Sequence, residues 1–191
     1  NKNNLFVIED CAHAIETKYD RKQAGTFGNF GCFSFYVTKN LITGEGGMII
    51  TDDDKWASRL RSLALHGMSK DAWKRFSDEG HQHYYVEEAG FKYNMIDIQA
   101  AIGIHQLERI EENWLRRQEI WNYYNKRFTG LPIELPAPPE KNTRHAYHLY
   151  TILINEKKTG ITRDEFLNKM NAEKIGTGVH YLSITNHPYY Q

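Results

Sequence analysis

The sequence predicts an α/β chain, on two observations. Its first half carries short apolar and aromatic runs set between glycine-rich turns, the pattern of strands buried on both faces. Its second half opens on an amphipathic helix of roughly thirty residues, and a cluster of prolines follows.

Leu5–Asp10 (LFVIED) reads as a buried strand ending in two acids. A parallel strand needs a neighbour on each side, and so little precedes this one that further sequence is expected upstream. Ala12–Ile15 has room for one helical turn, and the polar, glycine-bearing stretch Lys18–Gly31 reads as loop and turn. Cys32–Tyr36 (CFSFY) and Gly46–Thr51 are the next strands. Asp52, Asp53 and Asp54 offer N-caps to a helix over 53–66, in which Trp56, Leu60, Leu63 and Ala64 recur at helical spacing until Gly67. Met68–Glu88 has no period and reads as a long loop.

After Asp97, Ala100, Gly103, Leu107, Ile110, Trp114, Trp121, Tyr124 and Phe128 form an apolar stripe interrupted only by Arg117. At about 1.5 Å per residue such a helix is a rod near ~45 Å long, which suits a connection between two domains. Gly130 with Pro132, Pro136, Pro138 and Pro139 makes a hinge. Ala146–Ile154 reads as a strand, and Thr162 caps a helix through Met170 with Glu165 placed for a capping box. His180 and Tyr181 begin a last extended piece. The expected organisation is 1–96 as the later part of a large domain, 97–130 as the connecting helix, and 131–191 as a small, incomplete α+β C-terminal domain.

Composition narrows the function. Lysine plus arginine and aspartate plus glutamate are 24 each, so no global field recruits nucleic acid or an acidic membrane surface, and any phosphate recognition is local. Cys11 and Cys32 are too few for a disulfide framework and read as reduced core residues. Asn1–Asp10 lacks the basic start and apolar length of a signal peptide, and no run reaches the roughly 18 apolar residues of a membrane span, so a cytoplasmic protein is expected. His81 and His83 have no cysteine or acidic partner at matching spacing, so no metal site is expected.

The chemistry concentrates in FSFYVTKNLITGEGG. Ser34, Thr38 and Lys39 beside Gly44, Gly46 and Gly47 at a strand end supply the amides and hydroxyls of an anion site. The lysine precedes the glycines, so the phosphate-loop pattern of nucleotide hydrolases does not apply. Two readings of Lys39 stand on local composition: a surface lysine opening a turn, or an amine whose pKa burial lowers, suited to condense with a carbonyl. Asp10 has two likewise: a turn residue, or a carboxylate at a strand's carboxyl end paired with a cation. Pyridoxal 5'-phosphate is the cofactor that needs both a lysine amine and an acid at its ring nitrogen.

VIEDCAHAI, GTFGNFGCFSFYVTKNLITGEGG, LRSLALHGMSKDAW, GFKYNMIDIQAAIGIHQL and GVHYLSITNHPYY, in order and spacing, resemble the DegT/DnrJ/EryC1/StrS family of fold-type I aminotransferases acting on nucleotide-linked keto sugars. The likeness covers nearly the whole chain. It implies part of a fold-type I large domain bound to pyridoxal 5'-phosphate, with Lys39 as the cofactor lysine and proton shuttle and Asp10 at the ring nitrogen. It also implies His13 beside the phenolic oxygen, Ser34 on the phosphate, and Asn94 reaching that phosphate from the other subunit of a homodimer. His148, His180 and Tyr181 fall where the resemblance puts the substrate mouth, which would receive an amino-acid donor and a nucleotide-sugar acceptor. Lys92 and Asn94 depart from the asparagine and arginine that many members carry. Two other functions are compatible with the sequence: a keto-sugar dehydratase of the same fold, against which Lys39 argues because a histidine replaces the lysine there, and a non-catalytic piece acting through subunit association.

Overall fold

The computed structural model describes residues 3–69 and 84–191. The loop histidines His81 and His83, and most of the expected loop 68–88, therefore lie outside the described residues. The chain divides into two compact units, Asn1–Ile120 with Pro139–His148, and Trp121–Pro138 with Leu149–Gln191.

The first unit is built on a three-stranded sheet. Strand β1 (Ile8–Asp10) runs parallel to β4 (Phe30–Ser34), and β4 runs antiparallel to β5 (Gly47–Ile50), in the order β1-β4-β5. β1 is thus at an edge among the described residues. Leu5, Phe6 and Ile8 are exposed by 61%, 64% and 67%, where strands buried on both faces were expected. β4 begins two residues before the predicted run and stops at Ser34, because the Phe35 carbonyl is taken by the Thr43 amide at 2.9 Å and Tyr36 turns out to solvent.

The stretch expected as loop holds a hairpin of β2 (Lys18–Tyr19) and β3 (Lys22–Gln23), whose other edge pairs with β7 (Thr143–Arg144). Its turn residues Asp20 and Arg21 both have positive φ, 45° and 66°, as a two-residue turn matched to strand twist requires. An Asp-Arg turn does not announce itself as Asn-Gly would.

Helix α1 (Asp54–Ala64) starts where Asp53 Oδ1 accepts the amides of Lys55 at 2.8 Å and Trp56 at 3.1 Å, a cap worth about 1 kcal/mol. Trp56 meets Phe6 and Phe30 edge to face, with centroids 5.9 and 5.5 Å away. The expected single long helix is two: α2 (Asp97–Glu108) and α3 (Ile110–Phe128). At Arg109 the amide bonds back to the Gln106 carbonyl, tightening the last turn of α2, and α3 starts afresh with Asn113 donating to Arg109.

The second unit packs the later part of α3 against Tyr150. Trp121, 5% exposed, lies 4.8 Å from the Tyr150 ring, Tyr124 lies 5.1 Å from it, and the Tyr150 hydroxyl donates to Asn125 Oδ1 at 2.8 Å. Strand β6 (Ile133–Glu134) pairs antiparallel with β8 (Leu153–Ile154), and a short turn α4 (Glu156–Thr159) follows. Only Leu153–Ile154 of the predicted strand 146–154 joins a ladder. The carbonyls before it are engaged by side chains: Trp114 Nε1 donates to His145 O at 2.7 Å, and Asn40 Nδ2 to Ala146 O at 3.1 Å. Helix α5 (Arg163–Ala172) has the capping box read from the sequence, with Glu165 N–H on Thr162 Oγ1 at 3.2 Å and Thr162 N–H on Glu165 Oε2 at 2.8 Å. No helix among the described residues is long and apolar enough to cross a membrane.

Candidate functional site

Strand register determines what can meet on one side of the sheet. Asp10 pairs with Cys32 across β1 and β4, and side chains alternate along each strand, so Asp10, Cys32 and Ser34 share a face at the carboxyl ends of two parallel strands. Asp10 Oδ1 accepts the Ala12 amide at 3.0 Å, which bends the chain into the turn bearing His13. Ser34 is half-buried and opposes Gly47 of β5.

Glu9, one residue earlier, points to the opposite face. Its carboxylate accepts the amides of Gly25 (2.7 Å), Phe27 (2.6 Å) and Gly28 (2.6 Å), tying the glycine turn to β1. Desolvation works to raise its pKa, but the three amides, with Lys22 nearby, outweigh it and hold the carboxyl below its ordinary value. The turn has no room to spare: a Cβ on Gly31 would stand 2.4 Å from Gly25 Cα. A cavity of about 350 Å³ lies on this same opposite face, against Phe33, Met48 and Ile50, so it is not the space that Asp10 and Ser34 border.

Lys39 sits in a compact loop leaving β4. Phe35 N–H donates to Gly46 O at 2.8 Å and closes the loop, while Lys39 N–H donates to Tyr36 O at 2.9 Å in a turn. Leu41 and Thr43, each 4% exposed, anchor its later half, and Lys39 is half-buried.

Beside Lys39 lies a buried polar network that sequence reasoning did not find. Asn40 Nδ2 donates to Glu16 Oε2 at 2.9 Å and to the Ala146 carbonyl, and Asn40 Oδ1 lies 2.8 Å from His148 Nδ1. Glu16, its side chain 1% exposed, is ion-paired with Arg117 of α3, whose Nε also reaches Ala146 O at 3.4 Å. Burial pushes the Glu16 carboxyl up, against the pull of Asn40 and Arg117, and pushes the Arg117 guanidinium down. The His148 ring lies against His13 with centroids 4.1 Å apart and the planes tilted by 39°. One signal was available: Arg117 is the charge that interrupts the apolar stripe of the long helix. Glu16 and Asn40 had none.

Thus Asp10 and Ser34 meet through strand register, His13 meets His148 directly, and Lys39 connects to that pair through its neighbour Asn40. Asn94 belongs to the same unit, half-buried, its Oδ1 accepting Lys92 Nζ at 2.6 Å. His180 and Tyr181 belong to the second unit and are exposed, Tyr181 by 75%.

Known proteins share this sequence and fold. The spore coat polysaccharide biosynthesis protein SpsC of Bacillus subtilis is 48% identical over 188 residues, which cover 98% of this chain and 48% of SpsC. An uncharacterized protein of Methanocaldococcus jannaschii, MJ1066, is 47% identical over 188 residues, 98% of this chain and 49% of that protein. Among solved structures, Helicobacter pylori PseC, an aminotransferase involved in the biosynthesis of pseudoaminic acid, superposes with a TM-score of 0.86 at 28% identity, over 100% of this chain and 49% of that one. The chain spans about half the length of the curated relatives it matches. Its α/β fold is part of a fold-type I pyridoxal-phosphate-dependent transferase, and pyridoxal 5'-phosphate is the cofactor of such aminotransferases. The pattern of the DegT/DnrJ/EryC1/StrS aminotransferase family matches residues 1–191 from end to end, and the chain belongs to that family.

Proposed function

We propose that the intact protein is a pyridoxal-phosphate-dependent aminotransferase that moves an amino group from an amino acid such as glutamate to a keto group of a nucleotide-linked sugar. One observation carries the reading: the β1–β4 register sets Asp10 and Ser34 on one face, and the loop bearing Lys39 leaves the same strand end. These residues fit the cofactor, since a carboxylate, a hydroxyl and an amine of the types it needs stand at the ends of adjacent strands. SpsC is named for spore coat polysaccharide biosynthesis and PseC is an aminotransferase involved in the biosynthesis of pseudoaminic acid, which supports the sugar acceptor.

When bound, pyridoxal phosphate supplies an aldehyde that takes up amines and a ring that accepts electrons. The chain's own residues bind it and move protons. Asp10 would hold a proton at the ring nitrogen, Ser34 would bind the phosphate, and His13 would lie beside the phenolic oxygen. Lys39 Nζ would hold the cofactor and would carry a proton between the reacting carbons. Asn94 would reach the phosphate of the other subunit in a homodimer, and His148, His180 and Tyr181 would border the sugar. On a division into 1–96, 97–130 and 131–191, the first group belongs to the large domain and His148, His180 and Tyr181 to the small one. The setting is the cytoplasm.

The test uses the intact protein with pyridoxal phosphate. A visible absorbance band that borohydride fixes on Lys39 is expected, with an aminated sugar as product. A band unchanged in Lys39→Ala overturns the assignment, and deoxygenation without amination overturns the reaction.

A further inference from the structure

We propose that Asn40 is the positioning residue of this site, its side-chain amide fixing the Lys39 loop and the His13–His148 pair in one arrangement. The inference rests on the proposed roles of Lys39 and His13, and goes beyond them to the residue that orients both.

The orientation of the Asn40 amide follows from its neighbours. The Ala146 carbonyl can only accept, so the atom 3.1 Å from it must be the amide nitrogen, and Glu16 Oε2 receives the other hydrogen of that nitrogen at 2.9 Å. The amide oxygen then faces His148 Nδ1 at 2.8 Å. An amide oxygen cannot donate, so Nδ1 of His148 carries the hydrogen, and the tautomer of that ring is fixed. The ring so held lies 4.1 Å from His13.

The other end of the chain of contacts is equally determined. Glu16 is almost wholly enclosed and paired with the Arg117 guanidinium of α3, and its Oε2 accepts from the Asn40 amide. Asn40 adjoins Lys39, whose own amide is held by Tyr36 O. The backbone is therefore pinned on both sides of the amine, by a turn before it and by a buried side chain after it. A shift of about 1 Å in a reacting group costs on the order of 10²-fold in rate, so a residue that sets this position matters without touching substrate.

The test has two readouts independent of turnover, both on the intact protein. Ring-nitrogen resonances of ¹⁵N-histidine report the proton position on His148. Competitive amine labelling of the cofactor-free protein across pH, read by mass spectrometry on the Lys39 peptide, gives the reactivity profile of Nζ. Wild type is expected to hold the proton on Nδ1. Asn40→Ala is expected to move the proton toward Nε2, to shift the Lys39 profile, and to lower kcat on the order of 10²-fold with little change in donor KM. His148→Gln, whose amide nitrogen still donates to Asn40, retains the wild-type profile, and His148→Ala loses it; this pair carries the test if Asn40→Ala does not fold. A proton on Nε2 in wild type, a Lys39 profile unchanged in the folded alanine variants, or His148→Gln behaving as His148→Ala overturns the proposal. Failure of the underlying reading shows separately, as a borohydride-stable band that survives Lys39→Ala.

Discussion

The loop 35–46 and the terminal stretch 176–191 both carry candidate site residues, yet they are held in different ways. Asn40 of the first bonds to residues 106 and 108 positions away, inside a network whose central carboxylate is enclosed. In the second, the hydrogen bonds among the described residues are local, such as Asn186 to Ser183 and Tyr190 to His187, and every residue from Gly176 onward is exposed. A side chain such as Lys39 inherits its position from burial of the polar groups around it. Among the described residues, His180 and Tyr181 have no such inheritance.

The largest effect that separates the two is expected at Arg117. Arg117→Ala in the intact protein leaves Glu16 enclosed without its cation, and should cost about 3–5 kcal/mol in denaturant unfolding. A cost under about 1 kcal/mol would mean that the network is not the anchor. Next comes Gly31→Ala, whose Cβ would press on the Gly25 backbone at 2.4 Å; a loss of about 2–3 kcal/mol is expected, since backbone cannot yield as a flexible side chain does.

Glu9 gives a pH signature for the same turn. Its folded-state pKa is depressed, so its contribution is fully present above the unfolded value and is lost as pH falls through the folded one. In a melting-temperature titration below the ordinary carboxyl value of 4.5, Glu9→Gln should flatten part of the acid decline, and an identical acid limb in both proteins would contradict this. The smallest effect belongs to the terminal stretch: His180→Ala should change stability by no more than about 0.5 kcal/mol, and a larger loss in calorimetry would show that the stretch is held after all.

The comparison also marks how far the sequence could be read. Period and turn chemistry located β4, β5, α1 and α5 to within two residues, and the capping box at Thr162 was legible because its two partners are three positions apart. Contacts set by distant residues were not. Only Leu153–Ile154 of the strand expected over 146–154 joins a ladder; its first carbonyl, that of Ala146, is taken by Asn40, and nothing in AYHLYTILI records that partner. The break at Arg109 has neither glycine nor proline to signal it. Within the site, Asp10, Ser34 and Lys39 stood out by residue type at strand ends, whereas Glu16 and Asn40 act through each other across 24 positions and are ordinary polar residues in one dimension.

The adjacent acids Glu9 and Asp10 show what pleating does with a repeated residue type. Strand parity sends one carboxylate to each side, where the first clasps a glycine turn and the second is left facing the open end of the sheet. A single-residue slip of β1 against β4 would exchange them, handing the turn's clasp to the shorter side chain and presenting the longer one to the face that carries Ser34. Two neighbouring letters thus police the alignment of the whole strand, because neither can do the other's job.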